Sequence, residues 1–374
     1  MRDNLCVAFC RVVKSRLTNV YVLFHTPISC ATKRDGGDGQ PMNTSQLMQR
    51  ALVLSEMGYG ETFPNPIVGA VITDATGQII GEGYHCRQKS IDHAEVVAIK
   101  SAARSTTGGT IHVTLEPCNH TGATAPCTDA IIAAQLAKVV IATRDPNPTA
   151  GGGVERLRSA GIKVELDVLT AEVEFSNRSW LHKVKTGRPR IIWKVAQSAD
   201  GKIATGDGSP TWISSEESRA DVQIIRAQSD AIVIGTGTAL ADNPHLVPRN
   251  HSASKNPDRI VVGMREIPKD FNLYDQAART LFIKSNDLET VVAELKNHGY
   301  NQMLLECGPT LGGALFEAGW IDELILYTSP QILGSDGVTL FENPSVIFQN
   351  LKLISKSDIG PDTKSHYFAV KKGD

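Results

Sequence analysis

From Ser45 onward the apolar positions fall into regular periods. Leu47, Met48, Ala51, Leu52 and Ser55 share one face at spacings of three and four, which predicts a helix ending near Gly58. Residues 67–73 and 78–84 are short apolar runs, and Asp74-Ala75-Thr76-Gly77 between them predicts a hairpin. The pattern then predicts a helix over 93–104, a strand over 110–115, a helix over 127–136 and a strand over 138–143. A further helix and strand run through 154–166. Strands alternating with helices of this length predict an α/β sandwich with some parallel pairing.

Residues 183–189 (Lys-Val-Lys-Thr-Gly-Arg-Pro) form a polar, proline-ended break that reads as a linker. After it the alternation restarts, with strands expected at 190–196, 230–235, 259–263, 280–283, 301–306, 323–328 and 366–371. Helices are expected at 216–227, 288–297 and 311–318, and no internal repeat is visible. Two domains follow, 42–186 and 187–374. Residues 1–41 stand apart: between Asn4 and Arg34 lie five basic residues (Arg11, Lys14, Arg16, Lys33, Arg34) and no acidic one. They read as an extension irrelevant to the fold, disordered or non-native, since Met42-Asn43-Thr44-Ser45 resembles a fresh start with a helix cap. The rival reading is an organelle transit peptide.

Composition narrows the class. With 38 Lys+Arg against 40 Asp+Glu over 374 residues, the net charge of −2 argues against a polybasic nucleic-acid or membrane-surface binder. No uncharged apolar run approaches the length of a membrane span. Seven scattered cysteines make an odd count, so a secreted disulfide framework is not expected and a reducing cytoplasm is.

The candidate chemistry begins at His93-Ala94-Glu95, which opens a helix, followed by Pro117-Cys118 and then Cys127. One imidazole and two thiolates suit a borderline-soft Zn²⁺ and leave its fourth position open for water, whose pKa such a site lowers to about 7. Glu95, two residues from the ligand on the same helical turn, can reach the open face without ligating, as a general acid/base must. Cys118 and His93 both follow strand–loop junctions, where helix N-termini favour a thiolate. The alternative is a closed structural site, with His85, Cys86 or His120 as fourth ligand. Jointly, His-x-Glu followed by Pro-Cys on successive α/β units points to zinc-dependent deamination.

Thr114-Leu115-Glu116-Pro117-Cys118-Asn119-His120-Thr121-Gly122 with Pro126-Cys127 resembles the deaminase half of the bifunctional riboflavin-biosynthesis deaminase/reductase family. So do Pro64-Asn65-Pro66-Ile67-Val68-Gly69, Gly81-Glu82-Gly83-Tyr84-His85 and Arg144-Asp145-Pro146-Asn147-Pro148. The resemblance runs from about Ser45 to the C-terminus. It implies a cytidine-deaminase-like α/β/α domain in which His93, Cys118 and Cys127 bind zinc and Glu95 shuttles protons. Asn65, His85 and His120 become contacts to the pyrimidine or its ribose phosphate. Two departures stand out: the family's usual Lys or Arg is Ala123, and its Gly-x-x-His-Ala-Glu approach is replaced by Lys89-Ser90-Ile91-Asp92-His93.

In the second half, a strand over 303–305 runs into Glu306-Cys307-Gly308-Pro309-Thr310-Leu311-Gly312-Gly313, where glycines let backbone N–H groups approach a phosphate. Gly235-Thr236-Gly237 is a weaker signal, and neither has the spacing of a Rossmann dinucleotide loop. Here too the family resemblance adds detail. Lys194-Val195-Ala196-Gln197-Ser198-Ala199-Asp200-Gly201-Lys202-Ile203-Ala204, Trp212-Ile213 and Gly237-Thr238-Ala239-Leu240-Ala241-Asp242-Asn243-Pro244 are similar to its dihydrofolate-reductase-like, NADPH-dependent half. It implies NADPH contacts at Ala196, Trp212, Thr238, Asp242, Gly308, Pro309, Thr310, Leu311, Gly312, Gly313 and Ala314. Substrate contacts would be Lys194, Arg226, Leu246, Arg249 and Glu306, the arginines suited to a ribose phosphate and Asp242 to orienting or protonating the sugar.

The implied enzyme deaminates 2,5-diamino-6-ribosylamino-4(3H)-pyrimidinone 5′-phosphate and then reduces its ribosyl group to ribityl. Its partner is a phosphorylated pyrimidine, with no nucleic acid and no membrane, in a homo-oligomer. The rival readings are a deaminase with an inactive reductase-like scaffold and a tRNA-binding deaminase-like module.

Overall fold

The computed structural model describes residues 41–122, 124–206, 212–249, 255–341 and 350–370, together with the backbone of 8–14 and 21–27. Within the N-terminal extension, β1 (Ala8–Lys14) and β2 (Tyr21–Pro27) pair with each other. Cys6 and Cys30 lie outside the described residues. The chain otherwise divides into two compact units, passing from one to the other between Thr186 and Gly187.

The first unit opens with α1 (Thr44–Glu56), started by a reciprocal capping box between Asn43 and Gln46. Its sheet has the order β4-β3-β5-β6-β7, from β3 (Gly69–Thr73), β4 (Ile79–Tyr84), β5 (Thr110–Leu115), β6 (Lys138–Thr143) and β7 (Lys163–Glu165). β3 is antiparallel to both β4 and β5, whereas β5, β6 and β7 run parallel. Alternation along the strands sorts the core into two layers. Ala70, Ile72, Val139 and Ile141 face one cluster, which α2 (Ala94–Lys100), α3 (Cys127–Ala133) and α4 (Gly153–Ser159) cover through Ala94, Ala98, Ile131, Val154 and Leu157. Val71, Val140 and Ala142 face the other, covered by α1 and by α5 (Thr170–Ser176) through Leu47, Met48, Ala51, Leu52 and Val173.

The expected linker is shorter than its composition suggested. α6 (Arg178–Thr186) carries the helix through Lys183 and Lys185, leaving only 187–189 outside it. Trp180 and Leu181 join the core, and lysines in a last turn suit the negative end of the helix dipole. Tertiary burial overrides the polar composition.

The second unit is built on an eight-stranded sheet of order β12-β11-β10-β13-β8-β14-β17-β16. Its elements in chain order are β8 (Arg190–Gln197), β9 (Lys202–Ala204), α7 (Glu216–Ala227), β10 (Ala231–Gly235), α8 (Thr236–Asp242), β11 (Asp258–Val262) and β12 (Thr280–Ile283). There follow α9 (Leu288–Asn297), β13 (Gln302–Leu305), α10 (Pro309–Glu317), β14 (Glu323–Thr328), β15 (Val338–Thr339), β16 (Leu351–Ile359) and β17 (Asp362–Ala369). From β12 to β14 all pairings are parallel, and β17 and β16 close one edge antiparallel. The central strands read as unbroken apolar runs (Ile232-Val233-Ile234, Met303-Leu304-Leu305) because helices bury both faces. β1, β2, α5, α6, α8, β9, β15 and β16 have no counterpart among the expected elements. β9 and β15 are too short for a period, and β16 mixes Lys352, Lys356 and Asp358 with its apolar residues.

Contact between β4 and α2 is backbone to backbone. A Cβ on Gly83 would lie 2.5 Å from both the Ala94 carbonyl and the Ala98 nitrogen, and one on Gly81 would lie 2.4 Å from the Ala98 carbonyl. Gly83→Ala is therefore expected to destabilise the first unit by about 1–3 kcal/mol, the usual cost of overpacking. The readout is the urea midpoint of that unit, and an unchanged midpoint would refute the close packing.

Candidate functional site

Three sequence-distant residues meet at the N-termini of α2 and α3. His93 caps α2 in an extended conformation, Cys127 is the first residue of α3, and Cys118 follows β5. The ligating atoms of all three lie within 4.8 Å of one another, His93 Nδ1 being 3.6 Å from Cys118 Sγ and 3.3 Å from Cys127 Sγ. A tetrahedral zinc with the usual bond lengths has N···S edges of about 3.5 Å, so the donors fit in type and in spacing. The hydrogen bond from the Cys127 thiol pulls the Cys118 thiol down to about 4, the His93 ring and the Cys127 N–H (3.4 Å) adding to it. Cys127, as the donor, is pushed up. A divalent cation would replace the proton that the two sulfurs share.

Glu95 is 3% exposed, and its Oε2 has no hydrogen-bond partner. Burial raises its carboxyl to about 6, against the opposing pull of His93. An orphaned carboxylate oxygen of this kind, beside a metal-type donor set, has a task other than stability.

The cluster opens into a cavity of about 360 Å³ whose walls include His93, Glu95, Cys118, Asn65, His85 and His120. His85 Nδ1 lies 2.9 Å from the Asp92 carbonyl, so that nitrogen carries the proton, while Nε2 accepts from Asn65 Nδ2 at 3.1 Å. Both ring nitrogens are engaged and burial lowers the pKa, leaving a neutral ring edge-on to His93. Cys86 donates to Glu61 Oε2 at 2.7 Å. Two of the three candidate fourth ligands are thus committed elsewhere. His120 faces the cavity with a buried, unpartnered Nδ1. Ala123 lies outside the described residues.

Sequence reasoning assigned no role to Glu116 and Asp145. Glu116 Oε1 accepts from the Val154 N–H (3.0 Å) and Oε2 from the Asp145 N–H (3.2 Å), tying the β5 loop to α4 and to the loop after β6. Its place directly before Pro117-Cys118 was the available signal.

In the second unit, Arg226 on α7 grips Glu306 with two bonds, of 2.6 and 2.8 Å. Burial pushes the Glu306 carboxyl up and the Arg226 guanidinium more than reverses this. Lys194 on β8 is held below its usual range by burial, with Glu306 and Asp242 opposing. Asp242 ends α8 and is raised by burial and by Glu306. Lys194, Arg226, Glu306 and Asp242 therefore form one electrostatic cluster near the carboxyl ends of the parallel strands. Arg226 differs from expectation in spending its guanidinium on a protein carboxylate. Tyr327, under both Lys194 and Lys364, donates to Asp221, a network without any sequence signal.

Other expected residues sit apart. Leu246 is buried in the core with φ 50°, leaving only its backbone to meet a ligand. Arg249 is exposed and its N–H bonds Gln223, and Trp212 is 73% exposed beneath the Arg219 guanidinium. Ala196 lies on β8 and Thr238 on α8, both half-buried. Pro309, Thr310, Leu311, Gly312, Gly313 and Ala314 form the start of α10. A Cβ on Gly312 would strike Trp193 at 2.2 Å, whereas Gly308 and Gly313 face open space within 4 Å, as a loop that admits a phosphate must.

Comparison with known proteins assigns both units. Residues 41–143 match the cytidine and deoxycytidylate deaminase zinc-binding region, and residues 189–365 match the RibD C-terminal domain. The riboflavin biosynthesis protein RibD of Mycobacterium tuberculosis is 44% identical over 299 residues, spanning 79% of this chain and 87% of that protein. That of Escherichia coli is 38% identical over 365 residues, spanning 87% and 99%. A solved Thermotoga maritima diaminohydroxyphosphoribosylaminopyrimidine deaminase/reductase has a TM-score of 0.80 at 32% identity, covering 87% of this chain and 98% of its own. An Acinetobacter baumannii RibD structure has a TM-score of 0.79 at 33% identity, covering 88% and 99%. No helix among the described residues is long and apolar enough to cross a membrane.

The ligand set predicts the metal content. Cys118→Ala and His93→Ala should reduce zinc from about one per chain to below about 0.1, while Glu95→Gln keeps it near one. Elemental analysis of the purified variants checks this; full zinc in either ligand variant would refute the assignment.

Proposed function

The chain belongs to the RibD family of riboflavin-biosynthesis deaminase/reductases, and on that premise we propose how its own residues carry the two reactions. Residues 42–186 hydrolytically deaminate 2,5-diamino-6-ribosylamino-4(3H)-pyrimidinone 5′-phosphate, and residues 187–374 reduce the ribosyl group of the deaminated product. The observation that carries the first assignment is Glu95 Oε2, buried and unpartnered beside an imidazole and two sulfurs in an open cavity.

Zinc, when bound by His93, Cys118 and Cys127, supplies an activated water at neutral pH. Glu95 moves the protons: Oε2 receives one from the attacking water and passes it to the ring nitrogen, then takes the proton left on the added hydroxyl and passes that one to the departing amine. A carboxyl raised to about 6 by burial releases and takes up protons more evenly near neutrality than an exposed one. The neutral His85 steadies Asn65 at the wall, and His120 offers its ring to the pyrimidine.

In the second unit NADPH, when bound, supplies the hydride, which goes to the sugar carbon bonded to the amine. The open side of Gly308 and Gly313 accommodates its phosphates. Asp242, raised by burial, gives a proton to the sugar oxygen released at that carbon. Glu306, neutralised by Arg226, and Lys194 hold the sugar beside it. A cytoplasmic setting agrees with the thiol ligands, which an oxidising compartment would endanger. A homo-oligomer agrees with β16, an edge strand carrying an exposed Leu353 (45%).

Separate assays of the two steps test the division of labour. Glu95→Gln should lower deamination by about 10²–10⁴-fold, the usual worth of a positioned proton carrier, and leave NADPH oxidation with the deaminated intermediate unchanged. Asp242→Asn should do the reverse. Loss of both activities in either variant, with the protein folded, would contradict the assignment.

A further inference from the structure

The deaminase cavity must hold a phosphate dianion as well as a pyrimidine, and its walls are largely of the wrong sign. Glu95, Glu116 and Asp145 all line it. Among the described lining residues a single Arg or Lys is present, Arg87. We infer that Arg87 is the anchor for the substrate's 5′-phosphate in the deaminase site, and hence the residue that makes deamination selective for the phosphorylated pyrimidine. The inference rests on the deaminase reading above.

Neighbouring cations are already engaged. Lys100 pairs with Asp92 at 2.7 Å, Arg144 with Glu155 at 3.3 Å and Arg50 with Glu82, and the Lys89 ammonium lies 3.3 Å from the Tyr84 hydroxyl. The Arg87 guanidinium has no hydrogen-bond or ion-pair partner among the described residues, and the side chain is exposed.

Its backbone, by contrast, is well held. The Arg87 N–H donates to the Glu61 carbonyl (3.1 Å), the neighbouring Cys86 thiol donates to the Glu61 carboxylate (2.7 Å), and the Lys89 N–H closes a turn on the Cys86 carbonyl (3.0 Å). A fixed backbone and an unspent guanidinium are what a phosphate site needs, since little is reorganised on binding. Arg87 and Ile91 are exposed residues of the cavity wall, whereas Glu95 on the same wall is buried. Repulsion from the three carboxylates keeps a dianion at the solvent side.

The test compares two substrates, the phosphorylated diaminopyrimidine and its dephosphorylated riboside. Arg87→Ala should raise KM for the phosphorylated substrate about 10–100-fold, the worth of a hydrogen bond to a charged group, with kcat changed much less. For the riboside kcat/KM should change less than about twofold, because the lost partner is absent from that substrate. Arg87→Lys should recover part of the loss. Zinc content and NADPH-dependent reduction, measured on the same preparations, report that the chain is intact. Equal losses on both substrates, or an unchanged KM, would overturn the inference while leaving the deaminase assignment standing. Wild-type protein that deaminates neither substrate would overturn that assignment and this inference with it.

Discussion

The first unit depends on how closely α2 lies on β4. Glycines at 81 and 83 let the helix backbone rest on the strand, which sets the height of His93 and Glu95 above the sheet. α3 and the loop after β5 then need only bring two sulfurs to a point already defined. Three donors from separate segments meet within 4.8 Å, an arrangement no single segment could specify. Any thickening of the β4–α2 contact would move His93 and Glu95 together, away from Cys118 and Cys127.

Around that point the polar groups are divided by what they have left to do. His85 and Asn65 are spent on each other and on the Asp92 carbonyl, Glu116 on backbone N–H groups, and Cys86 on the Glu61 carboxylate; the first three line the cavity. Glu95 Oε2, His120 Nδ1 and the Arg87 guanidinium keep capacity in reserve. Leaving buried polar atoms unpaired costs stability, about 1–3 kcal/mol each. Such groups mark where a ligand must complete the bonding.

The second unit solves a different problem. A parallel sheet buried on both faces supplies a rigid floor, and function gathers at the carboxyl ends of its strands. Arg226, Glu306, Lys194 and Asp242 come from α7, β8, α8 and the loop after β13, yet share one field. The Arg226–Glu306 pair sets opposite charges against each other within that field. Tyr327, Asp221 and Lys364 buttress Lys194 from beneath.

The sequence by itself determined a good deal. Spacing and chemistry alone singled out His93, Cys118 and Cys127, which the fold brings together, because one imidazole and two thiols suit a metal as few other combinations do. Period two and period 3.6 located most strands and the helices α1, α7 and α9, since their apolar faces are long enough to be read locally. What only the tertiary structure decided concerns groups whose meaning lies in their partners. Whether His85 or Cys86 could close the metal's coordination depended on Asp92, Asn65 and Glu61, which no local pattern links to them. The same holds for Arg226, whose pairing with Glu306 has no signature in the local sequence. It holds too for residues 183–186, which look like part of a linker until they are found to continue a helix whose Trp180 and Leu181 lie in the core. Local pattern records what a residue can do, and folding settles which of its possible partners is within reach.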